Sequence, residues 1–89
     1  MLTLQEIQKE MLEVNDWSLT GNSLEKSFSF TNFKESIDFV NKIGEIAEAN
    51  NHHPDILINY NQVRLSLTTH SENGLTKKDF DVAKEIDKL

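Results

Sequence analysis

The stretch Glu48-Ala49-Asn50-Asn51-His52-His53-Pro54-Asp55 is where the chain changes its hydrophobic period. Ahead of it, Phe33, Ile37, Val40, Ile43, Gly44 and Ala47 recur at spacings of three and four, which predicts an amphipathic helix over residues 34–49. Behind it, Ile56, Ile58 and Tyr60 alternate with Leu57 and Asn59, the period of a strand. Pro54 disfavours helical backbone at His53, so the adjacent histidines sit on a helix-to-strand junction. Residues that carry chemistry are often displayed on such connections.

Upstream, Asn32 stands at the helix cap position with Glu35 three residues on. Leu24, Lys26, Phe28 and Phe30 alternate with Glu25, Ser27, Ser29 and Thr31, giving a strand with two aromatic residues on its inner face. Trp17–Thr20 is a shorter strand, and the turn Gly21-Asn22-Ser23 makes the two an antiparallel hairpin. Thr3-Leu4-Gln5-Glu6 is a capping-box pattern that opens a helix over 4–13, with Leu4, Ile7, Met11 and Val14 along one face.

Downstream, Val63, Leu65, Leu67 and Thr69 alternate with Arg64, Ser66, Thr68 and His70, and the brief Asn61-Gln62 connection predicts a second hairpin. Ser71-Glu72-Asn73-Gly74 reads as a loop. Thr76-Lys77-Lys78-Asp79 is a second capping box, opening a last helix through Phe80, Ala83, Ile86 and Leu89. The order α-β-β-α-β-β-α predicts an α+β fold: a four-stranded antiparallel sheet with three helices packed on one face, in a single domain over residues 1–89.

Composition narrows the function classes. Fifteen Asp and Glu against nine Lys and Arg give a net charge of -6, so the basic surface that nucleic acid binding requires is missing. Without cysteine there is no disulfide, thiolate nucleophile or Cys-based zinc site. No hydrophobic leader or long apolar run marks a membrane partner, and the expected location is the cytoplasm. Hydrophobic residues make up 37% of the chain, a thin supply for a core, which favours a homo-oligomer.

The chemical equipment is three histidines: His52, His53 and His70. Imidazole titrates near pH 6.5 and can give or take a proton at neutral pH. The predicted second hairpin returns His70 toward the His52-His53 junction. Glu48, one helical turn before His52, is placed to orient one imidazole. Glu45 and Glu48 also put negative charge at a helix C-terminus, where it opposes the macrodipole by roughly 0.3–1 kcal/mol per group. Three imidazoles could hold zinc with an open position. Adjacent histidines do not converge easily on one ion, however, and the usual ligand spacings are missing, so proton transfer is the better reading. Other residues have plainer roles available. Asp79 suits a capping acid, Trp17, Phe28, Phe30 and Phe33 suit a core, and Asp81, Lys84, Glu85 and Asp87 suit a solvated helix face.

Glu48-x-x-x-His52-His53-Pro54, followed by Tyr60, His70 and Asp79, resembles the signature of the pterin-4a-carbinolamine dehydratases. Leu24-x-Lys26-x-Phe28-x-Phe30-x-x-Phe33 and Thr69-His70 ahead of Gly74-Leu75-Thr76 are similar to the same family. The resemblance implies a lyase with no metal and no cofactor, acting on a 4a-hydroxytetrahydropterin to give a quinonoid dihydropterin. It implies His52 and His70 as the acid/base pair, with His53 and Glu48 supporting catalysis. It also implies pterin contacts from His53, Pro54, Thr69, Ser71, Glu72 and Asp79, and a homodimer or homotetramer. The chain departs from the family pattern at Ile56, where relatives often have an aromatic residue, and at Asn73-Gly74, where they often have two glycines. A non-catalytic module with the same fold, binding pterin or a protein partner, is the competing reading.

Overall fold

A computed structural model describes residues Met1–Leu89. It contains α1 (Leu4–Met11), β1 (Ser18–Thr20), β2 (Ser23–Ser29), α2 (Phe33–Asn50), β3 (Asp55–Asn59), β4 (Gln62–Leu67) and α3 (Lys77–Ile86). A single 3-10 turn, His70–Glu72, lies between β4 and α3. The strands form one antiparallel sheet in the order β1-β2-β4-β3. This is the expected α+β arrangement.

Strand alternation decides which face the helices cover. Along β4, Val63, Leu65 and Leu67 are fully buried, while Arg64 points to solvent. Register carries that face across the sheet: Leu24 lies opposite Leu67, Phe28 opposite Val63, and Ile56 opposite Leu65. Ile43 and Ala47 from α2 and Phe80, Ala83 and Ile86 from α3 cover it, and Ile7 and Met11 of α1 pack onto the same cluster. Each fully buried large aliphatic side chain here is worth about 1.5–3 kcal/mol.

Several expectations need correction. α1 stops at Met11 instead of residue 13, and Leu4 is exposed, so its inward stripe is Ile7, Met11 and then Val14. The inner face of α2 keeps Val40, Ile43 and Ala47 of the predicted stripe but also takes in Phe39 and Ile46. Phe33 is exposed, whereas Ser36 is buried and Phe39 packs against Phe28 and Phe30 at ring-centroid distances of 4.6 and 5.0 Å. Tyr60 leaves the strand for the β3–β4 turn, where its φ of 54° is left-handed. The capping boxes predicted at Thr3 and Thr76 are both formed.

The C-terminal end of α3 is the largest difference. Asp87 was expected on a solvated face, yet it accepts from Asn15 N–H at 2.8 Å, Trp17 Nε1–H at 2.9 Å and Lys26 Nζ at 3.0 Å. Lys26 and Asp87 keep only 15% and 7% of their side-chain exposure. A lysine on the inner face of β2 requires such a partner, because an unpaired charge is costly to bury. Lys84 likewise reaches across to Glu10 of α1 at 2.9 Å, and Glu85 bonds Asn50 of α2.

Candidate functional site

The site begins at the way α2 ends. Asn51 adopts a left-handed conformation with φ 49°, its N–H bonding back to Ala47 and Glu48, and His52 N–H donates to Ala47 O at 3.1 Å. Paired bonds of this kind around a left-handed residue stop a helix. Asn51 therefore terminates α2, three residues before Pro54, which is buried and leads straight into β3. The consequence is that His52 and His53 leave the helix in different directions.

His52 turns inward. Its side chain is 11% exposed, and its Nε2 lies 2.5 Å from Oδ1 of Asp79, whose side chain has no exposure. The other Asp79 oxygen, Oδ2, accepts from Thr69 Oγ1 at 2.8 Å and from Thr76 N–H at 2.9 Å. Thr69 Oγ1 also lies 2.8 Å from Thr76 Oγ1. A hydroxyl has one hydrogen, so with Thr69 donating to the carboxylate, Thr76 donates to Thr69. Asp79 is thus a capping acid whose second oxygen is committed to an imidazole, which its position in a capping box did not reveal. With Nε2–H given to the carboxylate, Nδ1 is the nitrogen of His52 free to exchange a proton.

His53 turns outward and pairs with Glu48, both well exposed. Glu48 is therefore the partner of His53 and not of His52, its neighbour one helical turn away. This pairing accounts for one of the two acids at the helix end. Nothing in the structure explains Glu45.

His70 does not end β4 as expected. The strand stops at Leu67, an isolated bridge joins Thr69 to Gly74, and His70 opens the 3-10 turn that this bridge closes off. Its imidazole is exposed and makes no hydrogen bond to the rest of the chain. Its chain neighbour Thr69 is the hydroxyl that holds Asp79, so the His70 turn is tied directly to the partner of His52. Thr69, Ser71 and Glu72 line a cavity of about 360 Å³ together with Thr76, Lys77 and Lys78. The sequence offers Thr76 as a helix cap, and its contact with Thr69 adds a second role. The signal for it was the coincidence of a cap residue with a second threonine two residues after a β-strand.

A larger cavity, about 540 Å³, lies elsewhere, with Lys26, Phe28, Phe30, Phe39, Lys42 and Asp87 among its lining residues and no histidine among them. Chemistry, not size, selects the region around Asp79, because there a histidine meets a buried carboxylate, whereas Asp87, the nearly buried acid of the larger cavity, is taken by Lys26. No group of three or more His, Asp or Glu side chains is arranged to hold a metal ion.

The sequence profile described as pterin 4 alpha carbinolamine dehydratase matches residues 1–89. The chain belongs to this family. Relatives provisionally named pterin-4-alpha-carbinolamine dehydratase include one from Picosynechococcus sp., 52% identical over 88 residues, covering 99% of this chain and 96% of the relative. Another, from Sulfurisphaera tokodaii, is 49% identical over 88 residues, covering 99% of this chain and 95% of the relative. Among solved structures, the transcriptional coactivator/pterin dehydratase from Brucella melitensis superposes with a TM-score of 0.92 at 30% identity, covering 98% of this chain and 95% of that one. A pterin dehydratase-like protein identified as a RuBisCO assembly factor in the alpha-carboxysome shares the fold, with a TM-score of 0.65 at 18% identity over 81% of this chain and 83% of that one. In the pterin-4a-carbinolamine dehydratase family, then, this member has a buried carboxylate on His52 and an exposed one on His53. No helix is long and apolar enough to cross a membrane.

Proposed function

We propose that the chain dehydrates a 4a-hydroxytetrahydropterin to the quinonoid dihydropterin, with its histidines as the only proton-transfer groups. The observation that carries this reading is the 2.5 Å contact between His52 Nε2 and the buried Asp79, within a family of pterin dehydratases. The carboxylate fixes which ring nitrogen carries hydrogen and leaves Nδ1 as an acceptor. His52 then takes the proton from pterin N5. His70, free of any partner in the fold, delivers a proton to the 4a-hydroxyl, which leaves as water. One proton is removed, one is supplied, and no cofactor enters the balance.

His53, held by Glu48, together with Pro54, Thr69, Ser71 and Glu72, forms the pterin-contacting surface in this proposal. A homodimer or homotetramer accompanies it. The small core, with 18 of 89 residues buried, and the exposed Ile56 and Leu57 on edge strand β3 support further burial between copies.

The test is to follow freshly generated 4a-hydroxytetrahydropterin by stopped-flow absorbance. The wild-type chain is expected to exceed the spontaneous rate, and His52→Ala and His70→Ala to lose that gain. Equal rates with and without protein, or full activity in both variants, would sink the proposal. The second reading, a pterin-binding or interaction module without turnover, draws on the appearance of the same fold in an assembly factor. It predicts pterin or partner binding with no rate gain.

A further inference from the structure

Met1 and Leu2, ahead of the Thr3 cap of α1, lie against the segment that carries His70. Leu2 N–H donates to Leu75 O at 2.9 Å, a main-chain bond between segments far apart in sequence. The Met1 nitrogen lies 3.3 Å from Glu72 Oε1. The Met1 side chain covers Gly74 so closely that a Cβ built there would fall 2.4 Å from Met1 Sδ and 3.1 Å from Met1 Cγ. Leu2 also packs against the hydrophobic cluster, which anchors the contact from beneath.

Those contacts fall on one short loop. Thr69 and Gly74 exchange main-chain bonds of 3.0 and 3.4 Å, and Asn73, left-handed at φ 55°, donates to His70 O at 3.1 Å. His70 is therefore held by a closed six-residue loop whose far side is roofed by Met1 and tied by Leu2. Inside the loop no apolar side chain secures it: His70, Ser71, Glu72 and Asn73 are all exposed. A loop with exposed main-chain bonds and little buried surface opens easily unless something else holds it.

We infer that Met1 and Leu2 are positioning residues for the histidine site: they form a strap that keeps the His70 loop, and with it the donor imidazole, in its working place. This rests on the reading of His70 as the proton donor and adds to that reading the residues that place it. Gly74 has a second role here besides bridging to Thr69. Its missing side chain is the space that the Met1 thioether occupies.

Three substitutions separate the parts of the strap. Leu2→Pro removes the N–H that bonds Leu75, while Leu2→Ala keeps it. Gly74→Ala leaves the main chain free to bond, since Gly74 is not left-handed, but displaces Met1. The measurement is amide hydrogen exchange at Thr69, Glu72, Asn73 and Gly74, alongside steady-state kinetics. In Leu2→Pro and Gly74→Ala, exchange at these four amides is expected to quicken about three- to tenfold, the scale of one lost hydrogen bond. Amides in β2 and β4 should be unchanged. Leu2→Ala keeps the N–H and trims only the side chain that packs on the core, so exchange should quicken less than in Leu2→Pro. In Leu2→Pro and Gly74→Ala kcat should fall by a similar factor, and in a His70→Ala background neither change should lower kcat further. Unchanged exchange at residues 69–74 in both variants overturns the strap, whether or not the protein is active. Faster exchange there with kcat intact overturns the positioning role. Absence of turnover in the wild type overturns the dehydratase reading instead, and with it the role of the strap in catalysis.

Discussion

His52 Nε2 and Asp79 Oδ1 stand 2.5 Å apart, joining the residue just past the end of α2 to the first turn of α3 with the carboxylate wholly out of solvent. All the hydrogen bonds that Asp79 accepts come from three places: the α2–β3 junction, the bridge after β4, and the cap of its own helix. One carboxylate thus sets the orientation of an imidazole and fastens the two loops that flank it.

Asp79→Asn tests that relationship at nearly constant volume. The amide keeps an acceptor for Thr69 and Thr76 but loses the charge facing His52, and its nitrogen can turn against the ring. We expect kcat to fall by about 10- to 100-fold, corresponding to the roughly 1.5–3 kcal/mol of a hydrogen bond to a charged group. KM should change little. A thermal melt must accompany the kinetics, because an activity loss with a collapsed transition would signal unfolding and not a misplaced imidazole.

The three histidines should separate by kinetic parameter. His52→Ala and His70→Ala each remove a proton-transfer group, so kcat is expected to drop by about 10²–10⁴-fold. His53 is exposed and paired only with Glu48, so His53→Ala should act mainly by raising KM. The double variant His52→Ala with His70→Ala should be little worse than the weaker single one, since the two act as a unit. Saturation kinetics on the four proteins would show this ordering, and a His53 variant as impaired in kcat as the others would contradict it.

Much of this was readable from the sequence where a local signal matched the tertiary outcome. The alternation through Val63, Leu65 and Leu67 and the caps at Thr3, Asn32 and Thr76 placed strands and helices because each rule acts within a few residues. Only the family resemblance put His52, His70 and Asp79 together, and the contact of Asp79 with His52 was not legible in it. Helical spacing left open which imidazole Glu48 meets; the left-handed Asn51 turns His52 away toward Asp79 and leaves Glu48 to His53. Asp87 was misjudged for a similar reason. Its helix-surface neighbours are polar, and only the packing of α3 over β2 brings Lys26 and Trp17 to it. Phe39 escaped notice because the phase of α2 is set by the aromatic residues on β2 that it meets.

The Asp87 cluster is expected to be a principal stabilising contact. Asp87→Ala leaves Lys26 nearly buried without a partner and takes an acceptor from Trp17 Nε1 and Asn15 N–H. Breaking a buried ion pair from one side costs about 3–5 kcal/mol, a large share of the total stability of a small domain. Replacing both charges, as in Lys26→Met with Asp87→Leu, should recover much of that loss, because neither charge is then stranded. Urea melts of the single and double variants decide it. Equal destabilisation in both would mean that the hydrogen bonds to Trp17 and Asn15 matter more than the charge.

Alkaline stability should depend on Lys84. Its hydrogen bond to Glu10 at 2.9 Å, together with the nearby acids Asp81 and Glu13, raises its pKa above the usual 10.5. A group whose folded pKa is raised binds its proton more tightly in the folded chain, so it stabilises the fold below its unfolded pKa. That contribution is full below about pH 10.5 and fades as pH rises through the higher folded value. The pair joins α1 to α3, so its loss should loosen α1 first. Lys84→Met keeps the aliphatic stem and removes the charge. Its melting temperature should lie below that of the wild type at pH 8, and the gap should narrow as the pH is taken above 10.5. A gap that stays constant across that range would show that Lys84 acts by packing alone.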